Sequence, residues 1–129
     1  LLFRLVFYGG SVPIVLAVPV SALFGRRAMI RHARVWSRFQ RWAARWTVGV
    51  RVRIEGPRPD RPVLYAVKHQ AFFEAIDMAD TLEGPAIILK RELTRIPLWG
   101  WATGVYGAIA VDREASAKML RRMMTEGAA

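Results

Sequence analysis

The sequence predicts an α/β protein in which an N-terminal apolar segment and an amphipathic helix precede a partial, mostly parallel sheet with flanking helices. Three observations carry this. Arginines recur every three or four residues from Arg27 to Arg45, which is a helical period. From Val48 the pattern changes to alternation. Beyond it, short and nearly all-apolar runs end at turn residues and are separated by helix-length stretches, the arrangement of buried parallel strands and their crossovers.

Residues 1–24 carry one charge, Arg4, and are otherwise dominated by Leu, Val, Phe and Ala. At 1.5 Å per residue such a run is long enough to cross about 30 Å of hydrocarbon. Gly9, Gly10, Pro13 and Pro19 would bend it, so a re-entrant or interfacial course is the alternative. A secretory leader is the other, but no small-residue cleavage pattern separates the apolar run from the basic stretch after it. Arg26, Arg27 and Arg31 come next, and cationic flanks favour the cytosolic side of a membrane. Residues 1–24 are therefore expected to form a membrane segment, 25–47 a basic amphipathic helix, and 48–129 an α/β domain.

In that helix Arg27, Arg31, Arg34, Arg38, Arg41 and Arg45 fall on one narrow stripe, with Met29, His32, Trp36, Phe39 and Ala43 opposite. A helix of this kind can lie at headgroup level with its cations on anionic lipid. It can equally be a surface helix packed on its own domain, and both can hold at once. His32 lies on the apolar side and reads as a packing residue.

Twenty Lys and Arg against ten Asp and Glu give a net charge of +10, with 53% of residues hydrophobic. High charge together with high apolarity excludes a disordered basic tail. No acid occurs before Glu55, so the early positive charge has no local partner. The absence of cysteine removes disulfides, thiolate nucleophiles and Cys-ligated zinc, and two distant histidines supply no metal cluster.

Val48, Val50, Val52 and Ile54 alternate with Gly49, Arg51 and Arg53, predicting a strand that ends at the Gly56–Asp60 turn. Residues 62–67 predict a central strand, 74–82 a helix, 85–89 a third strand, 98–106 a short helix, 108–111 a fourth strand and 114–125 a basic helix. Chain length allows one modest core.

The second predicted strand delivers Lys68-His69-Gln70-Ala71-Phe72-Phe73-Glu74 at its carboxyl end, where open α/β sheets bind ligands. A histidine held by a carboxylate can act as a general base. The five-residue separation of His69 and Glu74 does not put both on one helical face, so His69 must precede the helix. Lys68, Lys90, Arg91 and Arg113 are candidates to hold phosphate, although Asp112 can neutralise Arg113 in an ion pair. Glu92, Asp77 and Asp80 read as solvated or capping.

His69 and Glu74, then Lys90-Arg91-Glu92-Leu93, Ile96-Pro97-Leu98-Trp99-Gly100 and Gly107-Ala108-Ile109-Ala110-Val111-Asp112-Arg113 together resemble the glycerolipid acyltransferases, most closely the bacterial 1-acylglycerol-3-phosphate acyltransferases. The first block of that family is His, four residues and an acid, usually Asp. The second is Gly-x-Ile-x-x-x-Arg, matched by Gly107, Ile109 and Arg113. This chain differs in having Lys68 where the family usually has Asn, and Glu74 for Asp. The family's third block, a Pro-Glu-Gly-Thr-Arg turn, is absent before Ala129, so the sequence is expected to be an N-terminal fragment.

The resemblance implies His69 and Glu74 as catalytic and Gln70, Lys90, Gly107 and Arg113 as substrate-binding. It implies acyl transfer from acyl-CoA or acyl carrier protein to lysophosphatidic acid at the cytoplasmic face of a bacterial inner membrane, with anionic lipid as a further partner. No cofactor, metal or nucleic acid is expected. The rival reading is a non-catalytic basic module that binds anionic lipid, or RNA, through its arginine stripe.

Overall fold

The computed structural model describes residues 1–57, 59–61, 63–68, 70–112, 115 and 118. The N-terminal apolar segment is helical in two pieces, α1 (Leu2–Leu16) and α2 (Val18–Leu23). Pro13 sits inside α1 without ending it, and the break comes at Ala17, where Pro19 follows in the first turn of α2. By length and composition Leu2–Leu23 can cross a membrane.

A turn at Gly25, held at φ 80°, leads into α3 (Arg26–Val48), 23 residues and thus about 35 Å long. It ends where Gly49 adopts the left-handed conformation that favours glycine and the Val50 N–H reaches back to the Ala44 carbonyl. Helix α1 packs on α3 through stacked rings of Phe7 and Phe39, their centroids 6.5 Å apart. Gly10 makes that approach possible, because a Cβ there would strike the Phe39 ring.

Helix α4 (Phe72–Thr81) lies along α3. Ala43 and Ala44 of α3 and Ala79 of α4 are buried, and such small side chains let two helices approach closely. A second buried cluster joins Ala22 of α2, Met29 of α3, and Ala102 and Tyr106 of α5 (Trp99–Tyr106).

Strand β1 (Ile88–Lys90) pairs in parallel with β2 (Ile109–Val111), in the register Ile88 to Ile109, Leu89 to Ala110 and Lys90 to Val111. Parallel neighbours need a crossover, supplied here by a 3-10 helix (Arg91–Arg95) and α5. Gly100 lets α5 begin tight against that 3-10 helix, since a Cβ there would collide with the Thr94 carbonyl. The α/β class, the parallel pairing and the flanking helices agree with the sequence.

Two predicted strands do not form among the described residues. Val48 belongs to α3, and residues 50–54 are exposed and unpaired in any ladder. Residues 63–67 are likewise exposed and irregular. β-propensity is realised only by pairing and packing, and the described ladder joins β1 to β2 alone. The basic helix expected at 114–125 falls on positions outside the described residues, apart from Ala115 and Lys118.

Candidate active site

Helix α4 begins at Phe72, preceded by Ala71 in extended conformation, as required if a histidine five residues before Glu74 is to precede the helix. Glu74 occupies the third helical position, and its Oε2 accepts the Ala71 N–H at 2.8 Å. This is the acidic half of a capping box; Ala71 offers only a methyl, so the reciprocal bond cannot form. A carboxylate there also complements the positive end of the helix dipole. Gln70 is exposed beside it. His69 lies outside the described residues.

What holds α4 in place differs from the sequence expectation. Asp77 and Asp80, read as solvated or capping, meet the arginine stripe of α3. The Arg41 guanidinium forks onto Asp77, Nε to Oδ1 and Nη2 to Oδ2 at 3.0 Å, and it also donates to Thr81 Oγ1. Arg34 and Arg38 each donate to Asp80 Oδ1 at 3.0 Å, with Arg41 Nη1 3.4 Å from Oδ2. Asp77 is only 4% exposed. The hydrogen bonds that Arg41 donates to Asp77 raise the Arg41 pKa above its ordinary value despite partial burial. Burial pushes the Asp80 carboxyl up, but the hydrogen bond from Arg34, with the charges of Arg38 and Arg41, outweighs it and holds Asp80 below the usual value.

Two neutral contacts grip the α4 backbone directly. Ser37 Oγ donates to the Asp77 carbonyl at 3.2 Å, and Gln40 Nε2 to the Phe73 carbonyl at 2.9 Å. Sequence reading missed Ser37, Gln40, Arg41 and Asp77 as a set. The one signal for them was a pair of polar residues, Ser37 and Gln40, on the flank of the apolar face of α3. His32 does pack, its Nδ1 2.8 Å from Ser21 Oγ of α2.

At the carboxyl ends of the two strands, exposed Lys90 closes β1 and exposed Arg91 follows it, and Arg91 Nη1 stands 3.7 Å from Asp112 Oδ2 just after β2. Asp112 also accepts the Ala115 N–H at 3.2 Å. Among the described residues Asp112 thus faces the Arg91 guanidinium; Arg113 lies outside them. Gly107 ends α5 at φ 92°, and a Cβ there would stand 2.8 Å from Arg26 Nε, which itself donates to the Tyr106 carbonyl at 3.1 Å. This gives Gly107 a structural reason to be glycine.

A groove of about 740 Å³ lies between α4 and the strands, with Ala75 and Met78 of α4 on one side, Ile88 and Ile109 of the strands on another, and Tyr65 and Val67 on a third. Its walls are mainly apolar. A second, almost wholly apolar depression of about 350 Å³ runs from Tyr8, Val12 and Leu16 of α1 past Trp36 to Phe72, the first residue of α4.

On the other flank of the arginine stripe, Arg27, Arg31 and Arg45 are exposed, as are Val35, Trp42 and Trp46. Cations beside aromatics on a solvent-facing helix surface are suited to a lipid headgroup layer.

A family model described as Acyltransferase matches residues 49–129. A 1-acyl-sn-glycerol-3-phosphate acyltransferase of Pseudomonas aeruginosa is 32% identical over 94 residues, which cover 71% of this chain and 37% of that protein. The chain thus spans little more than a third of the length of that curated relative. No solved structure matches.

Proposed function

The chain belongs to the acyltransferase family, and from that membership we propose that the protein transfers an acyl group from a thioester donor to the free hydroxyl of 1-acylglycerol 3-phosphate, forming phosphatidic acid in phospholipid synthesis. The observation that carries this is the ordered set His69, Glu74, Gly107, Ile109 and Arg113 inside the matched residues. The relative's activity supports the choice of acceptor.

In this reading a neutral His69 imidazole takes the hydroxyl proton as the oxygen attacks the thioester carbonyl. The new C–O bond forms, the C–S bond breaks, and the proton passes to the departing thiolate. Glu74, anchored at the head of α4 through Oε2, uses its other oxygen to hold the imidazole's tautomer and to stabilise the imidazolium. Arg113 contributes a fork for the acceptor phosphate, with Lys90 and Gln70 as further contacts. Acyl-CoA or acyl carrier protein is the donor, and neither cofactor nor metal is needed.

We place the reaction at the cytoplasmic face of the membrane, with residues 1–24 as the membrane segment, 25–47 as the basic helix beside it and 48–129 as the start of the catalytic domain. The apolar Leu2–Leu23 stretch and the exposed Arg27, Arg31, Trp42 and Trp46 support this. A purely lipid-binding module would use the same surface but has no need of the His69, Glu74 and Arg113 set.

The test is acyl transfer by the full-length protein from palmitoyl-CoA or palmitoyl-acyl carrier protein, with lysophosphatidic acid, glycerol 3-phosphate and lysophosphatidylcholine as competing acceptors. Lysophosphatidic acid is expected to be consumed first. Preference for either competitor would contradict the acceptor assignment, and transfer to none would favour the lipid-binding module.

A further inference from the structure

We infer that Arg41 and Asp77 are positioning residues: their partly buried ion pair fixes the rotation and depth of α4 and thereby aims the Glu74 carboxylate. This rests on the role proposed for Glu74 above. Asp77 follows Glu74 by three residues, nearly one turn, so whatever fixes Asp77 fixes the face that carries Glu74.

The interface is polar where an apolar one would serve stability as well. Replacing buried ion pairs by packed hydrophobics is often neutral or stabilising, and what such a pair adds is a single permitted register. Here every element of register is specified. The Arg41 fork fixes Asp77, Thr81 Oγ1 donates to Asp77 Oδ2 at 2.8 Å, and Ser37 and Gln40, both essentially fully buried, hold the backbone carbonyls of Asp77 and Phe73. The Phe73 carbonyl belongs to the peptide that continues into Glu74.

The geometry sets the sensitivity. A side-chain tip about 5–6 Å from a helix axis moves about 2 Å if the helix turns by about 20°. Hydrogen-bond reach spans only a few tenths of an ångström, so a slip of this size would separate Glu74 from a ring it must hold. Helix α3 is anchored in turn to α1, through Phe7 on Phe39 and through Trp36 Nε1 donating to Ser11 Oγ at 2.9 Å. A continuous chain of fixed contacts therefore runs from the apolar N-terminal helix to the turn that carries Glu74.

The experiment places Asp77→Asn and Arg41→Lys, separately, in the full-length protein and again in a Glu74→Gln background. The values of kcat and KM are measured well below the thermal midpoint of each variant. In the native background kcat is expected to fall by about 10- to 100-fold, the scale of a misplacement of about 1 Å, with both KM values within about twofold. In the Glu74→Gln background neither change should cost more, because the group it aims is gone. If either variant fails to fold, Ser37→Ala and Gln40→Met remove the neutral grips and carry the same comparison with smaller losses. Equal losses in both backgrounds, or undiminished kcat in the native one, would overturn the positioning role alone. Undiminished kcat in Glu74→Gln itself would instead remove the assignment on which it rests.

Discussion

Arg41 and Asp77 stand 36 residues apart in sequence and meet side by side, the guanidinium forked onto a carboxylate that is almost wholly buried. Arg38, one turn earlier on the same stripe, keeps 62% of its side chain exposed while reaching Asp80. The two arginines look alike in sequence but differ in energetic weight. Removing one partner of a buried pair strands the other charge, which costs about 3–5 kcal/mol. Exposed pairs contribute about 1 kcal/mol or less. Arg41→Ala should therefore lower the urea midpoint severely and Arg38→Ala only slightly; equal effects would mean that burial does not set the weight of this cluster.

Asp80 makes the same interface sensitive to acid. Its folded pKa lies below the value of about 3.9 expected in the unfolded chain. The stabilisation it contributes is complete above about pH 5 and is lost as pH falls through the folded pKa. Unfolding followed between pH 3 and 6 should show stability falling towards acid, and Asp80→Asn should flatten that slope. A slope unchanged by Asp80→Asn would assign the acid sensitivity to other carboxylates.

The period of α3 was legible because arginine recurs along it at every turn, but what the stripe faces was not. A row of cations can be neutralised by lipid or by acids brought in from elsewhere, and Asp77 and Asp80 arrive only after the whole intervening segment. The folded chain divides the stripe, giving Arg34, Arg38 and Arg41 to α4 and leaving Arg27, Arg31 and Arg45 exposed. Strands β1 and β2 were readable from Ile87-Ile88-Leu89 and Ile109-Ala110-Val111. The strands expected around Val50 and Leu64 were not, since alternation states a preference and pairing depends on a partner strand that local sequence does not identify. In the candidate site the position of Glu74 at the head of a helix was legible, and the grip of Ser37 and Gln40 on that helix was not, because nothing local distinguishes a buried polar residue from a solvated one.

The division of the stripe gives distinct outcomes for lipid binding. Each cation near an anionic surface contributes about 1 kcal/mol, so Arg27→Gln, Arg31→Gln and Arg45→Gln together should weaken binding of the full-length protein to anionic vesicles by about 10²-fold and flatten its salt dependence. Neutral vesicles should hardly respond. The corresponding change at Arg34, Arg38 and Arg41 should act mainly on thermal stability. If the second triple variant loses anionic binding as much as the first while remaining folded, the division is wrong.

Arg113 offers a check on the acceptor. Arg113→Ala should raise KM for lysophosphatidic acid by an amount equivalent to about 2–4 kcal/mol, if its fork meets a desolvated phosphate, with a smaller effect on kcat. An unchanged KM accompanied by a lower thermal midpoint would make Arg113 a structural residue.

The most direct measurement is turnover of lysophosphatidic acid by full-length His69→Ala, with folding and vesicle binding followed in parallel. Loss of the general base should cut kcat by about 10²–10⁴-fold or more, while the thermal midpoint and vesicle binding stay at wild-type values. Near-normal turnover in a folded, membrane-bound His69→Ala protein would contradict the catalytic assignment.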